Sequence, residues 1–287
     1  MSEISPIPFT LDDGHPALAG DRWIDDDAPR RSTLLLLHGG GQTRHSWDRS
    51  ARALAARGHD VYTLDLRGHG DSEWAADGDY DLDAFAGDLL RVLGTLPTAP
   101  ILIGASLGGI TSLCVAGEHP DAAAGLVLVD VVVDVEPEGI QRIQNFMNTH
   151  LDGFATLDEV ADAIAEYTPE RKRSRNLDGL RKNVRQRADG RWYWHWDPAF
   201  MRDSDDEPRA HSDPERLGAA ARNVTVPTLV VRGRQSDVVS EEGARAMLER
   251  IPHAELVDVG GAGHMVVGDD NQVFATAIDD FLESRGL

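Results

Sequence analysis

Short apolar-rich stretches without regular alternation recur along the chain, at Thr33–Leu37, Ile101–Ile103, Gly125–Asp130 and Val226–Gly233. Alternation marks a strand with one wet face. A continuous run marks a strand buried on both faces, as in a parallel sheet covered by helices. Val61–Asp65 and Ala254–Val259 read as two more strands, and Phe9–Leu11 and Ala17–Ile24 as a leading pair joined by the turn-rich Asp12–Pro16. The intervening stretches carry helical spacing. In Ser46–Arg57, Trp47, Ala51, Leu54 and Ala55 share one face, and Gly58 stops the helix. Further helices are expected over Leu82–Leu96, Ile110–Glu118, Glu241–Arg250 and Asn271–Glu283. Strands and helices in alternation with short links predict an α/β fold: a mostly parallel central sheet with helices on both faces, its ligand loops at the carboxyl ends of the strands.

From about Asp134 to Glu215 this rhythm breaks. The segment is expected to be an inserted helical cap over the sheet edge, residues 134–215, with 1–133 and 216–287 forming the core. Leu177, Leu180 and Val184 predict a helix whose arginines face water. Three of the six tryptophans fall within Arg191–Pro198, and Trp192 and Trp194 are candidates to line a binding pocket. Asp203, Asp205, Asp206 and Glu207 lack the ligand ladder of a calcium loop and read as a surface loop.

Composition narrows the partners. A net charge of −21 disfavours nucleic acid and anionic membrane surfaces, both of which call for a basic face. The single cysteine, Cys114, rules out a disulfide within the chain and reads as a buried thiol. The opening residues show neither a basic start nor an apolar run, and no window has the ~18 apolar residues of a membrane span. The expectation is a cytoplasmic protein acting on a small-molecule substrate.

The chemistry concentrates in Gly104-Ala105-Ser106-Leu107-Gly108, between a buried strand and a helix. A sharp strand–turn–helix pushes the serine hydroxyl out of the sheet edge and crowds its neighbours, which is why glycine flanks it. Serine is a poor nucleophile without a base, and the base needs an orienting acid. Asp237 follows one late strand, and His264 lies in a glycine-rich turn after the next. Asp130, after the strand that follows the elbow helix, is a rival acid, and Asp237 has the alternative role of capping the helix near Ser240. In His38-Gly39-Gly40-Gly41, three glycines allow close backbone approach, and Gly40 N–H (or Gly41 N–H) with Leu107 N–H are the expected oxyanion donors. Gly41 is also a candidate substrate contact. His69 reads as a turn histidine bonded to backbone. Neither phosphate-loop fingerprint is present.

Together His38–Gly41, Asp65–Ser72, Gly104–Gly109, Gly233–Asp237 and Gly263-His264 resemble the α/β-hydrolase superfamily over nearly the full chain. Within it the sequence is similar to the capped, cofactor-free esterases, lactonases and non-haem haloperoxidases. The resemblance implies a Ser106–His264–Asp237 triad, an acyl-enzyme, and no metal or cofactor. Epoxide hydrolases and haloalkane dehalogenases share the outline but carry aspartate where this chain has Ser106. Carbon–carbon bond hydrolysis on the same triad, or small-molecule sensing without turnover, are the alternatives.

Overall fold

In the computed structural model, residues 4–168, 173–201, 213–260 and 272–287 are described. Among them, ten strands run β1 (Ile7–Leu11), β2 (Leu18–Trp23), β3 (Thr33–Leu37), β4 (Asp60–Leu64), β5 (Ile101–Ala105), β6 (Gly125–Val129), β7 (Val184–Gln186), β8 (Trp192–Trp194), β9 (Thr228–Gly233) and β10 (Glu255–Val259). Eight form one sheet in the order β1-β2-β4-β3-β5-β6-β9-β10, and β7 and β8 form a separate hairpin. β1 and β2 run antiparallel to their neighbours; every pair from β4 to β10 is parallel.

The non-alternating runs behave as their pattern requires. Leu35 and Leu37 of β3 point into one core layer and Leu34 and Leu36 into the other, and all four are fully buried. Each such leucine removes enough apolar surface from water to contribute roughly 1.5–3 kcal/mol. The layer of Leu34 and Leu36 lies under α1 (Asp48–Ala55) and the C-terminal helix (Gln272–Arg285). The layer of Leu35 and Leu37 lies under α2 (Leu82–Leu93) and α3 (Leu107–Glu118). α3 is enclosed almost all round: Leu107–Gly109 and Thr111–Gly117 are buried, and only Ile110 and Glu118 reach the surface. Cys114 lies among the buried residues, its thiol pushed up to about 12 chiefly by burial, as expected of an inert structural cysteine.

Between β6 and β9 the chain leaves the sheet. It forms α4 (Pro137–Met147) and α5 (Leu157–Tyr167), a 3₁₀ turn at Asp178–Lys182, and the β7–β8 hairpin. α6 (Pro214–Asn223) then packs on α3, and α7 (Glu241–Arg250) follows β9. The helix expected through Leu177, Leu180 and Val184 is not formed. Val184 instead pairs with Trp194 across the hairpin, whose turn holds Asp189 and Gly190, the latter at φ +81°. The Asp-Gly pair and the aromatic run are strand and turn signals that outweigh three apolar residues at helical spacing. The arginines are spent on the hairpin surface: Arg181 lies 4.7 Å over the Trp192 ring, Arg187 3.9 Å over Tyr193, and Arg185 pairs with Asp71 at 2.7 Å. The expected acidic loop, Asp203–Glu207, lies outside the described residues. Among the described residues, no helix is long and apolar enough to cross a membrane.

Candidate active site

Ser106 joins β5 to α3 with φ +45° and ψ −117°. A side chain at positive φ is strained, and such strain persists only where the surroundings over-determine it. Here the neighbours do so: a Cβ on Gly104 would lie 2.4 Å from the Gly108 carbonyl oxygen, and one on Gly108 would lie 2.6 Å from that of Leu37. Ser106 is the one residue of Ile101–Gly109 that is not buried, and its hydroxyl makes no cap bond to the helix it heads. The strained turn therefore presents, at the carboxyl edge of the sheet, a hydroxyl that the helix does not consume. Leu107, the first residue of α3, has no intrahelical acceptor for its N–H.

Gly39–Gln42 forms the adjoining turn. Gln42 N–H donates to Gly39 C=O at 3.1 Å, and Gly41 alone of the central pair has positive φ, +72°, the mark of a type II turn. His38 Nδ1 lies 2.8 Å from the same Gly39 oxygen. Two bonds to that carbonyl orient the Gly39–Gly40 peptide, and in a trans peptide the Gly40 N–H points the opposite way. Gly39 lies against the nucleophile: a Cβ there would be 3.2 Å from Ser106 Cβ. Gly41 N–H is already used, donating to His69 Nε2 at 3.1 Å, which leaves Gly40 as the donor of the two.

Three histidines support this loop. His38 Nε2 accepts Leu66 N–H at 3.0 Å, so its proton is on Nδ1. His69 Nδ1 lies 2.9 Å from Arg67 C=O, as a turn histidine bonded to backbone should. His195, from the end of the hairpin, accepts Gly70 N–H on Nδ1 at 2.8 Å and stands 3.2 Å from Gly41 C=O through Nε2. Burial pushes His38 down to about 4 and holds His195 well below the usual histidine range.

The two candidate acids differ. Asp130 is buried, sits at φ +53°, accepts Gly233 N–H at 3.2 Å and the Ser236 hydroxyl at 2.5 Å, and follows Val129, whose carbonyl accepts Ser106 N–H at 3.2 Å. Asp237 has a side chain 35% exposed and an ion pair with Arg142 of α4 at 3.0 Å. It does not cap α7, because Ser240 fills that position, accepting Gly243 N–H at 3.1 Å. His264 lies outside the described residues.

Aromatic residues of the inserted segment cover the loop. A Cβ on Gly41 would meet Met147 at 3.2 Å and Trp196 at 3.5 Å, and one on Gly40 would meet Phe200 at 3.6 Å. Trp194 stacks on Trp196 at 4.8 Å, one layer further out, and Trp192 is half-buried beneath Arg181. Of the tryptophan run, then, Trp196 meets the glycine turn, joined by Met147 and Phe200, while Trp192 and Trp194 stand behind it. His195 and Ser236 carry no local signal of these contacts. Each sits inside a stretch whose neighbours draw attention, but nothing in spacing alone separates them from those neighbours.

Comparisons with known proteins agree with this geometry. The alpha/beta hydrolase fold family profile matches residues 32–270. An esterase of Mycobacterium tuberculosis, Rv0045c, is 30% identical over 280 residues, covering 94% of this chain and 87% of its own. Its crystal structure superposes with a TM-score of 0.76 at 28% identity, covering 97% of this chain and 92% of that one. The 3-hydroxybutyrate-oligomer hydrolase of Cupriavidus necator is 30% identical over 263 residues, 86% of each chain. The crystal structure of E-2-(acetamidomethylene)succinate hydrolase has a TM-score of 0.81 at 24% identity, covering 97% of this chain and all of that one, and speaks to fold alone. With the sheet order, the strained serine turn and the profile match in agreement, the chain belongs to the alpha/beta hydrolase fold family.

Proposed function

We propose that this chain is a serine hydrolase that cleaves a small carboxylic ester or lactone through an acyl-enzyme on Ser106. The observation that carries the reading is the strained Ser106, its hydroxyl not spent on the helix, beside the Gly39–Gln42 turn. Ester chemistry is supported by the two relatives near 30% identity, named as an esterase and as a hydrolase of 3-hydroxybutyrate oligomers. In the proposed cycle His264 takes the Ser106 proton as Oγ attacks the carbonyl carbon. Gly40 and Leu107 N–H groups receive the oxyanion. Collapse breaks the bond to the leaving oxygen, which His264 protonates. Water, deprotonated by His264, then releases the acid and restores Ser106.

For the acid we favour Asp130 over Asp237. A carboxylate that orients a histidine is best buried and held by hydrogen bonds, and Asp130 is, with Ser236 as its partner, whereas Asp237 is committed to Arg142. The segment between β6 and α6 is proposed as the cap, with Met147, Trp196 and Phe200 forming apolar walls near the acyl site and Trp194 and Trp192 backing them.

Intact mass after incubation with a fluorophosphonate, beside a Ser106→Ala control, tests the nucleophile, followed by a p-nitrophenyl ester series of increasing acyl length. One adduct, absent in the control, with ester turnover is expected. No adduct on folded protein would overturn the reading; an adduct with diketone but not ester turnover would move it to carbon–carbon hydrolysis.

A further inference from the structure

His195 is neither nucleophile, base nor acid in the reaction above, yet it reaches from the inserted hairpin to the glycine turn beside Ser106. Its partners set its tautomer. Gly70 N–H is a donor, so Nδ1 holds a lone pair; Nε2 then carries the proton and donates to Gly41 C=O. His69 does the converse, accepting Gly41 N–H on Nε2. The two rings, 5.9 Å apart between centroids, thus grip both polar groups of one glycine.

We propose that His195 is a positioning residue for the oxyanion loop, so that docking of the hairpin and assembly of the oxyanion hole are one event. The inference rests on the Ser106 hydrolase reading. Its physical basis is the cost of ordering Gly39-Gly40-Gly41, since three successive glycines lose more conformational freedom on folding than any other tripeptide. A flip of the Gly39–Gly40 peptide would turn a carbonyl, rather than an N–H, toward the developing negative charge. His38 and Gln42 hold the front of that turn, and His69 and His195 hold its back. The hairpin that bears His195 is itself tied to the core: Asp197 N–H donates to Gly68 C=O at 2.8 Å, and Tyr80 donates its hydroxyl to the Asp197 carboxylate at 2.6 Å.

Two substitutions separate positioning from packing. His195→Asn places an amide near the Nδ1 position, able to keep Gly70 but too short for Gly41. His195→Gln reaches the Nε2 position and can still donate to Gly41. We expect His195→Asn to lower kcat about tenfold to a hundredfold, less than the loss of a whole oxyanion donor. KM should stay within about threefold, and Ki for a trifluoromethyl ketone, a tetrahedral analogue, should rise with the loss in kcat. His195→Gln should restore most of both. A folded His195→Asn protein with wild-type kcat and Ki would overturn the proposal. So would equal losses in both variants with a raised KM and a lowered Tm, which is what packing alone predicts. Should His195→Asn not fold, amide exchange in the wild type decides: protection of Gly70 N–H, the proton that His195 Nδ1 accepts, supports the docked ring, and exchange at the rate of an open loop overturns it. Wild-type protein lacking both fluorophosphonate adduct and ester turnover would instead overturn the hydrolase reading, an outcome distinct from any seen only in the variants.

Discussion

Asp130 and Asp237 show how much a residue's role depends on what surrounds it. Both follow strands of the sheet at its carboxyl edge, and both suit a triad acid by residue type. In the proposed triad, burial, positive φ and the Ser236 hydroxyl favour Asp130, whereas Asp237 is partly exposed and pairs with Arg142. Surface pairs contribute little, with a median of about 0–1 kcal/mol. On that proposal Asp130→Asn is expected to lower kcat by about 10²–10⁴ with little change in ester KM, because an amide would replace the carboxylate proposed to orient His264. Asp237→Asn should change kcat by less than about tenfold, since it removes only a weak surface pair. Steady-state kinetics on both variants checks this, and the reverse ranking would return the acid role to Asp237.

At the scale of elements, α3 links site and scaffold. It begins at Leu107, directly after Ser106, and its last turn approaches α6 so closely that a Cβ on Gly117 would lie 2.2 Å from the Ala220 carbonyl oxygen. The helical rise of 1.5 Å per residue puts about 16 Å between Ser106 and Gly117. Gly117→Ala should thus destabilise the fold by about 1–3 kcal/mol through overpacking, while kcat at permissive temperature stays near wild type. Urea unfolding read beside ester turnover separates the two effects. The strand pattern was legible in the sequence because two-sided burial writes itself as unbroken apolar runs. The hairpin was not, since three-residue strands carry too few positions to show a period, and its Arg-rich surface imitates the wet face of a helix.

For the whole molecule, buried neutral histidines set the response to acid. His38 is lowered to about 4 and His195 well below its usual value, both by burial, and His59 is lowered for the same leading reason. Each binds its proton more readily when unfolded, at about pH 6.5 for an unperturbed histidine. Their contribution to stability is therefore complete above that pH and lost as pH falls below about 6.5 toward each ring's lowered folded-state value, about 4 for His38, at up to about 1.4 kcal/mol per pH unit for each proton taken up on unfolding. Chemical denaturation between pH 7 and 4.5 should show that decline. A flat profile over this range would mean that these rings are not held neutral.

The sequence by itself determined the α/β class, the serine turn and the glycine loop, because each is written in contiguous residues: apolar runs, a Gly-x-Ser-x-Gly turn and three glycines in a row. It also placed both candidate acids at strand ends. The differences between those acids in burial and in partners are tertiary, and only the tertiary structure brought His195 from the inserted hairpin to Gly41, a pair 154 positions apart. Such contacts depend on how a hairpin docks and which way a ring faces. Those are properties of packing between distant segments, and local spacing along a chain carries no record of them.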